Sequence, residues 1–174
     1  MAQSKVIGSN RLALEAAARE TQHYSLRPVI MGADLQGEAA DRPVQARKAP
    51  VDVPTCWLWG GETTVTVHGH GRERRNQAFA LAAALALDGL PVPMRVLAGG
   101  TDGRDGPTDA AGAWCSTATV GRAQALGLDA QDHLQRHDAY PFFQALGQHL
   151  MTGPTNTNVM DLHLLVQGPS TRRA

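Results

Sequence analysis

The chain has 174 residues, with 16 Lys and Arg balanced by 16 Asp and Glu, and two cysteines. The balance of charge excludes a general attraction to nucleic acid or to an anionic membrane surface, and two cysteines are too few for a disulfide framework. The longest apolar run, at residues 79–87, is too short to cross a bilayer, and the N-terminus lacks the pattern of a secretory leader. We therefore expect a cytoplasmic protein that does not bind nucleic acid or membranes, with both cysteines reduced and buried.

The N-terminal part of the chain predicts a strand, a helix and a second strand. Residues 5–8 have the composition of a short strand, Ser9 or Asn10 caps an alanine-rich helix, and residues 27–32 form a strand parallel to the first. Because two strands and one helix make a poor core, we interpret residues 1–45 as the end of a preceding domain together with a linker.

From Thr55 onward the pattern becomes denser. A strand is predicted by the alternation of Val65 and Val67 with polar residues. The helix predicted at residues 76–89 is apolar around nearly its whole circumference, which places it inside the structure. Residues 94–98 then predict a buried strand that leads into a loop rich in Asp and Gly.

Three short helices and a last strand complete the predicted fold. The first helix is predicted by the helical pattern at 119–126. The second begins at the cap Asp129, and the third begins at the cap Asp138 and ends at Gly147. The apolar run 162–166 predicts the last strand. Strands that alternate with helices predict an α/β sandwich with a mixed, partly parallel sheet. This domain covers residues 55–167, and residues 168–174 are predicted to be a mobile tail.

The first of three polar loops, at residues 69–77, carries several arginines directly before the buried helix. Arg72, Arg74 and Arg75 oppose the helix macrodipole, unless an anion binds at the helix N-terminus and reverses the sign of the interaction. Free amides and guanidinium groups there would form a cradle for a phosphate or a carboxylate. The alternative is that the arginines are solvated or pair with nearby carboxylates.

The second loop, GGTDGRDGPTDAAG at residues 99–112, contains three aspartates. Its spacing excludes a calcium loop of the EF-hand type, whereas Mg²⁺ needs only one or two carboxylates and suits such a loop. One aspartate could instead accept the proton of a substrate hydroxyl. The structural alternative is that Asp-Gly pairs make turns and that Asp109 caps a following helix, which leaves Asp102, nearest the strand, the least explained.

The third loop, TGPTNTN at residues 152–158, offers threonine hydroxyls and asparagine amides that could surround an anion, although it is also an ordinary Gly-Pro turn. Other candidates are weaker. His68 and His70 lack a third ligand for zinc, and Cys115 lacks a paired histidine, so a core thiol is favoured over a nucleophile.

Taken in order, the segments GGETTVTVHGHG, RNQ, GGTDGRDGPTDAAG, HDAYPFFQALG and TGPTNTNVMDLHLLV resemble the signature blocks of the MOFRL domain, the C-terminal half of class II glycerate kinases. The resemblance covers about residues 55–167, and the segment before it resembles the end of the Rossmann-like domain that precedes it in that family. It implies phosphorylation of the 2-hydroxyl of D-glycerate, with ATP and magnesium, in a cleft between two domains. Some members of the family carry the older label hydroxypyruvate reductase.

Carried over to this sequence, the resemblance implies that Arg75 and Asp102 are the active-site arginine and aspartate, and that Asp102 is a catalytic or magnesium-facing carboxylate. It assigns contacts with the substrate or its phosphate to Asn76, Gln77, Thr101, Asp105, Thr152, Thr155, Thr157 and Asn158. The sequence departs from the family at Arg74 and Ala78, where glycine and glutamate are common.

The resemblance also implies that a large N-terminal domain, which supplies a catalytic lysine, is missing from this chain. We therefore expect the chain to bind a nucleotide and a sugar acid such as glycerate as half of a site, and not to turn over glycerate alone. A surface that normally faces the missing domain would also favour self-association. The alternatives are a hydroxypyruvate reductase, for which no G-x-G-x-x-G segment is present, and a ligand-binding module without catalytic activity.

Overall fold

The computed structural model describes residues 5–35, 51–61 and 75–169. These residues form a mixed α/β structure, as predicted. The elements in chain order are α1 (Asn10–His23), β1 (Arg27–Leu35), β2 (Thr55–Gly61), α2 (Arg75–Leu87), β3 (Met94–Gly100), β4 (Gly112–Ser116), α3 (Thr119–Ala125), α4 (Ala130–Gln135), α5 (Ala139–Leu146), β5 (His149–Leu150) and β6 (Asp161–Gln167).

The six strands form one sheet in the order β1-β2-β6-β3-β4-β5. Strands β1 and β2 are parallel, and the remaining neighbours are antiparallel, so the prediction of a mixed, partly parallel sheet is confirmed. Gly61 at the end of β2 and Gly100 at the end of β3 both pair with Asp161 at the start of β6. The ends of β2 and β3 and the start of β6 therefore lie together at one edge of the sheet.

Helices cover both faces of the sheet. Along β2, Trp57 and Trp59 pack into the larger core, while Cys56 and Leu58 point to the other face and pack with Leu14 of α1. Helix α2 belongs to the larger core, where most of its side chains are buried, as its sequence predicted. The larger core also includes side chains of α3, α4 and α5. No helix in the described ranges is long and apolar enough to span a membrane.

Several predictions about individual elements are confirmed, and others are wrong. Residues 5–9 form no strand, because they lead directly into α1, whose N-cap is Ser9. Asp129 caps α4 with its side chain, whereas Asp138 precedes α5 without a capping hydrogen bond. Gly147 ends α5 in the left-handed conformation, as expected.

Asp109 does not cap a helix, because the segment that follows it is the unpredicted strand β4. Its carboxylate accepts a hydrogen bond from the hydroxyl of Tyr140 at 2.7 Å. Strand β4 begins at Gly112, where a Cβ atom would collide with the carbonyl oxygen of Ala98 on the neighbouring strand. The glycines and alanines around it hid the strand from a propensity argument.

Some predictions fall outside the described residues. These are the alternating strand around Val65 and Val67, the residues His68, His70, Arg72 and Arg74, and the tail beyond residue 169. Strand β1 pairs with β2 inside the main sheet, and the proposed division at residue 45 stays a prediction.

Candidate active site at the edge of the sheet

A cleft of about 610 Å³ opens where β2 and β3 end and β6 begins. It brings together two residues that the sequence singled out from separate loops, Arg75 and Asp102. Its described lining consists of Arg75, Asn76, Asp102, Arg104, Asp105, Gly106, Asn158, Met160 and Asp161. A polar cleft at the ends of strands is the usual place for a small ligand in an open α/β sheet.

Asp105 lies at the base of this cleft and binds the start of α2. Its Oδ1 accepts the backbone N–H of Asn76 at 3.1 Å, and its Oδ2 accepts that of Gln77 at 2.9 Å. Only 3% of the residue is exposed. Asp105 was predicted to contact the ligand, but both of its carboxylate oxygens accept hydrogen bonds from the backbone of α2.

This arrangement changes the interpretation of the helix N-terminus. The sequence predicted that free amides there could bind an anion, and the anion at Asn76 and Gln77 is the carboxylate of Asp105. Burial raises the pKa of Asp105 to about 6, against the two amide hydrogen bonds, which lower it, and with a smaller repulsion from Asp161. The cleft floor thus contains two neighbouring carboxylates at the start of α2.

Asn76 connects the helix to the first residue of β6. Its side-chain amide donates to Asp161 Oδ1 at 3.1 Å, and its Oδ1 lies 2.9 Å from Nε2 of His163. His163 is buried, stacks on Phe79 with ring centroids 4.2 Å apart, and has a pKa that burial lowers to about 3. The imidazole is therefore neutral, and it donates its Nε2 proton to Asn76.

Gln77, the other amide predicted to bind the substrate, is fully buried. Its Nε2 donates to the hydroxyl of Thr108 at 3.2 Å, and the residue is not among those that line the cleft. Asn76 does line the cleft, but its polar groups contact Asp105, Asp161 and His163. Both residues connect α2 to its surroundings.

Asp102 is half-buried and lies at the rim of the cleft. Its Oδ1 accepts the backbone N–H of Arg104 at 3.1 Å, which closes a tight turn and leaves the carboxylate beside the end of β3. A Cβ atom on Gly100 would lie 3.0 Å from Asp102 Oδ1 and 3.6 Å from Asp161 Oδ1. The absence of a side chain at Gly100 therefore leaves room between the two carboxylates.

The threonine loop, residues 151–160, packs against Thr101. The hydroxyl of Thr101 donates to the carbonyl of Met160 at 2.7 Å and accepts the N–H of Val159 at 2.8 Å. The hydroxyl of Thr155 donates to the carbonyl of Thr101, and its N–H donates to that of Asp102 at 3.2 Å. These groups hold the two loops together.

From this loop, Asn158 and Met160 line the cleft, whereas the exposed residues Thr152, Thr155 and Thr157 are not among its described lining. The structure thus separates Asn158 from the three threonines with which the sequence grouped it.

Sequence reasoning missed Arg104, Met160 and Asp161 as cleft residues. Asp161 precedes the apolar run of the last strand, so the strand-end argument used for Asp102 could have found it. Met160 has φ of 69°, a left-handed conformation that is rare for this residue type and that its sequence does not signal.

The donors in the cleft fit magnesium and a phosphate group. Mg²⁺ needs one or two carboxylates, with water and phosphate oxygens as the remaining ligands, and Asp102 offers a partly exposed carboxylate. Within the described ranges, no group of three or more His, Cys, Asp or Glu side chains could form a metal site of protein ligands alone. Arg75 and Arg104 provide guanidinium groups of the kind that bind phosphate or carboxylate.

Comparisons with known proteins point in the same direction. The sequence profile of the MOFRL family matches residues 55–161. A glycerate 2-kinase of Pyrococcus horikoshii is 36% identical over 92% of this chain, and an Agrobacterium vitis protein provisionally named hydroxypyruvate reductase is 39% identical over 94%. The crystal structure of a glycerate kinase from Thermotoga maritima matches 95% of the chain with a TM-score of 0.85 and 33% identity.

The chain belongs to the MOFRL family. It spans 38% of the Pyrococcus protein, 45% of the Agrobacterium protein and 42% of the Thermotoga chain. The similarity to the Thermotoga enzyme supports the α/β fold described above.

Proposed function

We propose that this chain supplies the MOFRL half of a glycerate 2-kinase site, in which a phosphoryl group passes from ATP to the 2-hydroxyl of D-glycerate. The observation that carries the proposal is that Arg75 and Asp102, from two separate loops, line one cleft at the edge of the sheet. Phosphoryl transfer needs such groups, because charge on the moving group must be neutralised while the hydroxyl is aligned.

In the proposed reaction, Arg75 and Arg104 bind the anionic groups of the substrates. Asp102 either holds magnesium or accepts the proton that the 2-hydroxyl loses as its oxygen bonds to phosphorus and ADP leaves. Magnesium, when bound, would neutralise negative charge on the phosphate oxygens. Asn158 and the threonines 152, 155 and 157 are proposed to contribute neutral donors at the same rim.

The proposed site is incomplete without a partner that forms the opposite wall of the cleft. Support comes from the fraction of the kinase relatives that the chain spans, and from apolar side chains at the surface, including Ile7 at 91% and Met31 at 52% exposure. We propose that the rest of a glycerate kinase is this partner, and that the chain alone does not turn over glycerate. A second copy of the chain is the alternative occupant of the exposed surface.

A hydroxypyruvate reductase is the second candidate, favoured by the name of the Agrobacterium relative. A catalytically silent module that binds the same ligands is the third. Either alternative would retain the cleft, but neither would give ATP-dependent phosphorylation.

The test uses two proteins: the 174-residue chain, and a chimera in which it replaces the matching part of the Pyrococcus horikoshii enzyme. A coupled assay would follow ADP release with D-glycerate, ATP and Mg²⁺, and a parallel assay would follow hydroxypyruvate reduction. We expect glycerate phosphorylation by the chimera and none by the chain alone. A folded chimera that reduces hydroxypyruvate instead, or that binds ligands without turnover, would contradict the proposal.

A further inference from the structure

The first amides of α2 are bonded to a side chain from a distant loop of the chain. The first amides of a helix have no partner within the helix, and a side chain just before it normally accepts the N–H of its second or third residue. The amides of Asn76 and Gln77, at the start of α2, take their acceptors from Asp105, which lies in another loop.

Asp105 supplies both missing acceptors from the loop between β3 and β4. Each carboxylate oxygen takes one of the two amides, at 3.1 and 2.9 Å. The loop is itself closed by the N–H of Asp105, which donates to the carbonyl of Ala110, and by the hydroxyl of Thr108, which donates to the carbonyl of Asp105. This loop between β3 and β4, residues 101–111, is called the aspartate loop below. It and α2 are joined as one unit at the cleft.

Asp161 holds the same helical turn through the side chain of Asn76. A carboxylate can only accept, so the NH₂ group of Asn76 must face Asp161 and its oxygen must face His163. Because that oxygen faces the ring, the neutral, buried His163 has the tautomer that donates its Nε2 proton to it. Helix α2 is therefore fastened to β6 as well as to the aspartate loop.

We propose that Asp105 and Asp161 are positioning residues, which fix the first turn of α2 and thereby hold Arg75 in place at the cleft. The inference rests on the proposed function, because the proposed role of Arg75 is what gives its position importance. Asp105 acts through the helix and does not bind the substrate. Asp102, three residues away in the same loop, remains the carboxylate that faces the ligand.

The first arm of the test needs no enzymatic activity. In the 174-residue chain, Asp105→Asn keeps the size of the side chain but leaves one amide without an acceptor. Asp109→Asn is the matched control, because it changes an exposed aspartate of the same loop that contacts Tyr140. We expect hydrogen exchange at Asn76 or Gln77 to become about tenfold faster in Asp105→Asn, and to stay unchanged in the control.

The second arm measures turnover in the chimera. If Asp105 acts through Arg75, Asp105→Asn should lower kcat about tenfold with little change in the KM for glycerate. The double variant Arg75→Ala/Asp105→Asn should then have nearly the same kcat as Arg75→Ala alone. A merely structural role would lower the activity of the Arg75→Ala protein by the same factor again.

Unchanged exchange at both amides would overturn the proposal, and so would independent effects of the two substitutions on kcat. If Asp105→Asn does not fold, Thr108→Val loosens the same joint more mildly, and we expect it to accelerate exchange at Gln77 severalfold. A chimera without kinase activity would count against the proposed function, while the exchange arm would still decide whether Asp105 fixes the helix.

Discussion

The two loops at the cleft are held in place in different ways. The aspartate loop is anchored from inside, by the buried carboxylate of Asp105 on the start of α2. The threonine loop is anchored at the surface, by the hydroxyls of Thr101 and Thr155 on backbone carbonyls. The difference shows that a charged residue in a glycine-rich loop can be a structural group, and that polar side chains can be used to attach one loop to another.

The largest expected effect concerns the charge that anchors the aspartate loop. Folding raises the pKa of Asp105 from 3.8 to about 6. The folded state therefore binds the proton of the Asp105 carboxyl group more tightly than the unfolded state does. The associated stability is fully present below pH 3.8 and is lost as the pH rises through about 6. We expect the free energy of unfolding to fall by about 3 kcal/mol between pH 3 and pH 8, relative to Asp105→Asn.

Urea unfolding of the two proteins, followed by circular dichroism at several pH values, measures this difference. Groups far from Asp105 titrate alike in both proteins and cancel in the comparison. A constant difference across the pH range would mean that the Asp105 carboxyl is not buried against the helix.

The next effect compares the two loops in the proposed reaction. In the active chimera, Asp102→Asn removes the carboxylate that faces the ligand, and we expect kcat/KM to fall about 100-fold. Thr157→Val removes an exposed hydroxyl of the threonine loop, and we expect a loss of about twofold, the size of a weak neutral hydrogen bond. Equal losses would show that both loops take part in the chemistry to the same degree.

The contact between the loops gives a third prediction. Gly103 has φ of 86°, and a Cβ atom there would collide with the carbonyl oxygen of Gly153, whereas Gly153 has φ of 68° and open space around it. Alanine is strained at both positions, but only Gly103→Ala also pushes the loops apart. We expect Gly103→Ala to lower the free energy of unfolding by about 2 kcal/mol more than Gly153→Ala.

The smallest effect concerns the surface anchor of the threonine loop. Thr155→Val removes a hydroxyl that donates to the carbonyl of Thr101 and accepts the N–H of Thr157. Because the position is exposed and water can replace these bonds, we expect a loss of stability of about 1 kcal/mol. Thr152→Val is the control, since its hydroxyl donates to the carbonyl of Gly153 next to it and not to the other loop, as far as the structure describes the chain. A loss as large as that of Gly103→Ala would show that the surface anchor is as important as the interior contact.

Most of the fold was predictable because its elements carry local signals. The apolar circumference of α2 predicted a buried helix, Asp129 predicted the start of α4, and Gly147 predicted the end of α5. Strand β4 was missed because its composition of small residues suits a close approach of strands and not a propensity pattern. The segment at residues 5–8 was wrongly predicted as a strand, because two apolar residues in a row do not require burial.

The candidate site was predictable only as a set of loops. The position of the loops at strand ends or helix starts predicted a shared cleft, and the resemblance to the family singled out Arg75 and Asp102 within it. The sequence favoured Asp102 because it lies nearest the strand, but it could not predict that Asp105 bonds to the amide of Asn76 across the fold. For the same reason, the sequence did not predict that the side chain of Asn76 is hydrogen-bonded to Asp161 and His163.

A double-mutant cycle of Arg75→Ala and Asp102→Asn in the chimera tests most directly whether the two residues act on one ligand. The measured quantity is kcat/KM for D-glycerate in the four proteins. We predict that each single variant loses about 100-fold, and that the double variant loses far less than the product of the two losses. Independent, multiplicative losses, or near-normal turnover in both single variants, would contradict the account.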